Sequence, residues 1–393
     1  MPDVQFTNLL GVLAIALAAP LLLGFFPRVR VPAVVLEIVL GVVVGPDVLG
    51  WLAADLAVQV MALVGLAMLL FLAGLEIDLA SLRGRLLGVA IAGYAVSLGL
   101  GLAGGAVLDS VGWVDDPLLL AVTLSATSLG LVVAVLKDAH AVDGRLGQAV
   151  IAASSVADFA AVLLLSLLFS SQDTRTGARL ALLVAFAVLV IVVASAVRLS
   201  GRSMRLGDVL VRLQDTTAEI RVRAAMLLLL AFVVLAEKFG LESILGAFMA
   251  GAVVGLLDRG STTHPRFRTK LDAIGFGFVI PVFFVSSGLR LDIHGLLNSP
   301  DALARVPVFL GLLLVVRGVP ALLSLRTFGG RRTASAALLQ ATSLPFIVTA
   351  TQIGVLTGRL DAVTGAALVC AGLVSVLVFP VVATTLGVSD PVT

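Results

Sequence analysis

Residues 116–136 read DPLLLAVTLSATSLGLVVAVL, two apolar runs separated by Ser125, Thr127 and Ser128, with Gly130 just beyond. A helix needs about 20 mostly apolar residues to cross a hydrocarbon core. Hydroxyl residues beside Gly or Pro let such a helix unwind where protein covers it. The tetrad Ala126-Thr127-Ser128-Leu129 returns 215 residues later as Ala341-Thr342-Ser343-Leu344, followed by Pro345. Both segments read as broken helices, and packing glue from small polar residues is the competing account.

Thirteen stretches of the chain meet or approach membrane length, near 6–26, 32–49, 56–75, 86–108, 116–136, 147–169, 178–199, 223–240, 242–257, 273–289, 303–325, 333–357 and 362–387. The second and ninth are short and Gly-rich. Two more echoes keep the order of the first: Leu36-Glu37-Ile38-Val39-Leu40-Gly41 with Leu241-Glu242-Ser243-Ile244-Leu245-Gly246, and Gly74-Leu75-Glu76-Ile77-Asp78 with Gly288-Leu289-Arg290-Leu291-Asp292. Together the echoes pair spans two, three and five with nine, ten and twelve. The seventh is left as a linker. An odd linker makes the second set enter the bilayer from the opposite face, which is the inverted-repeat plan of secondary transporters. The expected organisation is a first repeat at 1–170, a linker helix and basic cytoplasmic loop at 171–222, and a second repeat at 223–393, with no soluble regulatory domain.

Composition agrees with a bilayer environment: 60% of the 393 residues are hydrophobic and 13% charged. The first basic residue, Arg28, follows the first apolar run, so no cleavable signal is expected. Alternate loops collect nineteen of the 26 Lys and Arg residues on one side; Arg175, Arg179, Lys238, Arg290, Arg305 and Arg359 fall on the other, and Arg317 lies within a span. The positive-inside rule then puts the N-terminus outside and the C-terminus in the cytoplasm, in a multi-pass protein of the cell's inner (plasma) membrane. A single cysteine, Cys370, and three separated histidines exclude a disulfide framework and any legible metal site. No cofactor and no nucleic-acid partner are expected.

Ionisable side chains inside a span cost about 2.5–3.5 kcal/mol each on insertion scales and are rarely idle. Asp158 falls mid-way along the sixth span, Arg317 near the middle of the eleventh, and Glu37 near the cytoplasmic start of the second. Ser154 lies one helical turn before Asp158, and Ser155 is adjacent to it. Hydroxyl and carboxylate oxygens suit a hard monovalent cation, although serines in membrane helices also bond back to their own helix. Asp158, Ser154, Ser155, Thr127 and Ser128 are therefore the candidate cation and proton ligands. Arg317 is the candidate charge partner, and Thr342 and Ser343 mark the second break. Glu37 and Glu76 are funnel or structural candidates.

Val31-Pro32-Ala33-Val34-Val35-Leu36-Glu37 running into Gly41 and Gly45-Pro46, then Phe71-Leu72-Ala73-Gly74-Leu75-Glu76, resembles the membrane domain of the monovalent cation:proton antiporter-2 family, the Kef-type exchangers, on an NhaA-like fold. Thr127-Ser128, Asp158, Phe283-Phe284, Gly288-Leu289 and Arg317 match as well. The resemblance implies a moving core of spans four to six and eleven to thirteen, a scaffold of spans one to three and eight to ten, and a homodimer. Ala157 departs from the Asp, Asn or Gln that such proteins place before the central Asp. The reading is an all-α polytopic antiporter exchanging Na⁺ or K⁺ for H⁺ by alternating access, electroneutral with one carrier carboxylate. A gated cation channel and a Na⁺-coupled organic anion symporter are the alternatives. Enzyme motifs such as His-Glu-x-x-His, Gly-x-Ser-x-Gly or a Walker loop do not occur.

Overall fold

The computed structural model describes residues 6–25, 31–76, 84–169, scattered positions between 182 and 195, and 219–258, 266–324 and 328–387. All regular structure among them is helical. Among the described residues, eight helices are long and apolar enough to cross a membrane, or nine if one bent pair counts as a single span. The expected seventh span, 178–199, lies largely outside the described residues, as does most of the basic loop that follows it.

The chain divides into two compact units. The first comprises Met1–Val58, Asp78–Ala161 and Phe284–Thr393. In it α1 (Thr7–Phe25) packs on α2 (Ala33–Val44), and α4 (Gly84–Ser110) packs on α5 (Pro117–Ser125). A break of three residues separates α5 from α6 (Leu129–Asp138), and α7 (Arg145–Phe169) follows. α3 (Leu56–Glu76) starts where Asp55 accepts the Val58 amide at 3.0 Å and the Asn8 side-chain amide at 3.0 Å. Those two bonds, the backbone one first, hold the Asp55 carboxyl below its ordinary range.

In the second unit, Gln59–Ile77 with Val162–Phe283, α8 (Ile220–Lys238) packs on α9 (Ser243–Asp258). α10 (Arg266–Ile274) runs through a π-helical turn at Gly275–Val279 into α11 (Ile280–Leu289). Glycines allow the close approaches. A β-carbon at Gly74 would lie 2.0 Å from the Phe248 carbonyl oxygen, and one at Gly251 would lie 1.8 Å from that of Phe71. The Gly-rich ninth stretch is thus a helix of 16 residues lying backbone to backbone against α3. Such small-residue contacts drive helix association where no hydrophobic effect operates between apolar surfaces.

After α11 a short helix, α12 (Ile293–Leu297), precedes α13 (Pro300–Gly318), which tightens into a 3-10 turn at Val319–Ser324 directly after Arg317. α14 (Gly330–Gln340) and α15 (Pro345–Leu356) form the bent pair, with an angle of 41° between them, and α16 (Ala362–Leu386) packs against α13, α14 and α15. Pro117, Pro300 and Pro345 each open a helix, where a missing N–H costs nothing. A polar clamp fastens several helix ends of this unit. Asp116 caps α5 and pairs with Arg359 at 2.9 Å, while Arg305 sits 3.5 Å from Asp361 and 5.8 Å from the Trp113 ring centre.

The α2–α11 crossing within the first unit is equally tight, since a β-carbon at Gly288 would lie 2.2 Å from the Ile38 carbonyl oxygen. Gly288→Val is expected to lower the thermal unfolding midpoint of the purified protein, with overpacking costing about 1–3 kcal/mol. Gly311→Ala, where nothing lies within 4 Å, should leave it unchanged or raised.

Candidate functional site

Two helices that stop within the membrane region leave backbone groups that water cannot satisfy. α5 ends at Ser125 and α6 begins at Leu129, with Ala126 extended between them. α14 ends at Gln340 and α15 begins at Pro345. The two breaks meet. The Ser128 amide donates to the Thr342 carbonyl at 2.9 Å, the Leu344 amide donates to Ser128 Oγ at 3.1 Å, and Thr127 Oγ1 donates to the Gln340 carbonyl at 2.8 Å. The echo between the two tetrads therefore marks a physical contact between them.

Asp158, from α7, lies against the first break. Its Oδ1 accepts the Thr127 amide at 3.0 Å and its Oδ2 the Leu129 amide at 3.2 Å. A carboxylate thus occupies the positive end of α6, where the helix dipole and unpaired amides favour negative charge. Asp158 is half-buried, whereas Ser154, Ser155 and Ala157 around it are buried.

Arg317 is 2% exposed, and its Nε donates to Thr127 Oγ1 at 2.8 Å while Nη1 donates to Ser97 Oγ at 3.1 Å. Thr127 consequently joins the two charges, with its amide on Asp158 and its hydroxyl under Arg317. The hydroxyl acts once as acceptor and once as donor, which uses its single proton and one of its two lone pairs.

Of the residues singled out in the sequence, Asp158, Thr127, Ser128, Arg317 and the Thr342 carbonyl fall into one network. The Thr342 hydroxyl instead bonds back to Leu338 at 3.0 Å. The Ser343 backbone is held by Ser375, which receives its amide at 3.3 Å and donates to its carbonyl at 3.0 Å. Ser154 Oγ and Ser343 Oγ are buried without a hydrogen-bond partner. Glu37, on α2, is 4% exposed with Oε2 unpartnered, and Glu76 stands 3.7 Å from Arg268. Neither glutamate joins this network. Ser97, Ser375, Gln340 and Tyr94, which lies 3.0 Å from Ser125, do not stand out in the sequence. Isolated hydroxyls in apolar helices carry no signal until their neighbours are known.

The family described as "Sodium/hydrogen exchanger, transmembrane" matches residues 13–388. The chain belongs to this family. Among the exchanger family's relatives, a protein of Bacillus subtilis named "Putative Na(+)/H(+) antiporter YjbQ" is 29% identical over 377 residues, 90% of this chain and 58% of that protein. The chain thus spans little more than half of that relative's length. A Bacillus cereus protein named "Na(+)/H(+)-K(+) antiporter GerN" is 28% identical over 302 residues, covering 75% of this chain and 71% of that one. The fold is that of the sodium proton antiporter MjNhaP1 from Methanocaldococcus jannaschii, with a TM-score of 0.67 at 15% identity over 98% of this chain and 96% of that one.

Thr127→Val removes the acceptor for Arg317 and the donor to Gln340 while sparing the amide that faces Asp158. A hydrogen bond to a charged group is worth about 1.5–3 kcal/mol. The variant should therefore unfold at lower temperature than the parent, and Thr127→Ser should recover most of the loss. Equal midpoints for the three proteins would contradict the linking role of Thr127.

Proposed function

We propose that this exchanger-family chain is an antiporter that exchanges a monovalent cation, Na⁺ or K⁺, for H⁺ by alternating access, with Asp158 as its carrier group. The observation that carries the reading is the half-buried carboxylate held by two backbone amides where the broken helices meet. A carboxylate in this position can take a proton or a cation, and charge repulsion disfavours both at once. Supporting oxygen ligands are at hand. Ser154 Oγ, one turn from Asp158 and unpartnered, can turn a lone pair to a cation, and Ser155, Thr127 and Ser128 supply further hydroxyls.

The paired breaks support the division into inverted repeats at 1–170 and 223–393 with a connecting segment at 171–222, since each half contributes one interrupted helix to the crossing. On that plan the N-terminus is outside, the C-terminus is cytoplasmic and the protein lies in the inner membrane as a homodimer. Ala157 leaves one acidic residue at the site, so one proton is exchanged per monovalent cation and no net charge moves.

Purified protein in liposomes should convert an imposed pH gradient into Na⁺ or K⁺ movement. Asp158→Asn should reduce this to background while eluting as the same folded species on gel filtration, and undiminished exchange would overturn the assignment. Because proton and cation compete for one group, the cation concentration for half-maximal rate should rise about tenfold for each pH unit below the site's pKa. Clamping the membrane potential should leave the rate unchanged, and a potential-dependent rate would contradict one-for-one exchange.

A further inference from the structure

Arg317 is held on two of its three guanidinium nitrogens. The third, Nη2, is buried and has no hydrogen-bond partner. The same side chain lines a pocket beside α4 and α7, together with Tyr94 and Gln340. An orphaned donor on a permanently charged group is expensive to bury, and native structures rarely leave one without a purpose. The pocket owes its shape to small residues. Ala149 and Ala153 bring no bulk to it from α7, and Gly93 brings none from α4. Ala157, four residues beyond Ala153, extends the same helix face and offers no polar atom toward a neighbour.

Charge counting points the same way. With Asp158 ionised, the pair Asp158–Arg317 is neutral. Once Asp158 takes a proton or a monovalent cation, as proposed above, Arg317 is left as one net positive charge in the membrane interior. That surplus is the same in both loaded states, and no second carboxylate stands at position 157 to offset it.

We propose that the pocket at Arg317 is a binding site for a small monovalent anion, of which chloride is the natural candidate. The anion accepts from the guanidinium, with Tyr94 and Gln340 at the polar end of the pocket, and neutralises the loaded site. Size excludes bulky anions, because the cavity beside Arg317 is only about 40 Å³. Gluconate should not substitute, whereas bromide should.

The test is saturable binding of radiolabelled chloride to the purified full chain in a neutral detergent and gluconate buffer, read without transport, so that it stands apart from the carrier role of Asp158. The expected result is one saturable site per chain, displaced by bromide and lost in Arg317→Gln. A second variant guards against misfolding of the first. A β-carbon at Gly93 would meet Pro320 at 3.5 Å, an ordinary contact, so Gly93→Leu fits the backbone while its side chain fills the pocket. Chloride binding should weaken severalfold in that variant with the charge of Arg317 intact. Absence of saturable binding by folded parent protein, or undiminished binding by folded Gly93→Leu, would overturn the site.

Discussion

The structure around the candidate site depends on one constraint, that backbone groups exposed by interrupting a helix in the membrane must find partners inside the protein. Two interruptions placed against each other satisfy part of this demand mutually, through Ser128 and Thr342 and through Thr127 and Gln340. What remains is the amide-rich start of α6, and Asp158 answers it with both carboxylate oxygens. The group that stabilises the break is therefore the group to which the proposed exchange assigns proton and cation. On that proposal, loading Asp158 would alter the partner on which the break relies and so give ligand exchange a direct hold on backbone geometry.

Arg317 makes the arrangement an electrostatic balance in place of a lone buried charge. Its guanidinium donates to the Thr127 hydroxyl while the carboxylate accepts the Thr127 amide, so the two charges share an anchor. A direct ion pair would compete with a cation for the carboxylate oxygens. Separation by one threonine lowers the cost of both charges while leaving Asp158 half-buried. The 3-10 turn immediately after Arg317 and the small faces of α4 and α7 then shape the pocket beside it.

Much of this was legible in the sequence because membranes simplify the code. Apolar length located most of the described helices, and the repeated Ala-Thr-Ser-Leu tetrads pointed to both breaks and to Ser128 and Thr342, which touch across them, though not to Gln340. Asp158 stood out because a carboxylate in an apolar span is costly. Other features follow from tertiary neighbours that periodicity does not encode. Nothing in Gly275–Val279 distinguishes a π turn from continuous helix, since the segment GFGFV is apolar all round and a change in residues per turn leaves no mark in its pattern. Ser97 and Ser375 are ordinary small residues until Arg317 and the Ser343 backbone are placed beside them. Glu37 drew attention for the same reason as Asp158, yet it does not join the network at the crossing.

On the proposed exchange, a single carboxylate is held alternately by a proton and an alkali cation. Calorimetric titration of Na⁺ or K⁺ into the purified protein, repeated in buffers of differing ionisation enthalpy, counts the protons released on cation binding. Below the pKa of the site the account predicts release approaching one proton per bound cation, and neither heat nor release in Asp158→Asn. Cation binding without proton release, or binding that survives the loss of the carboxylate, would contradict it.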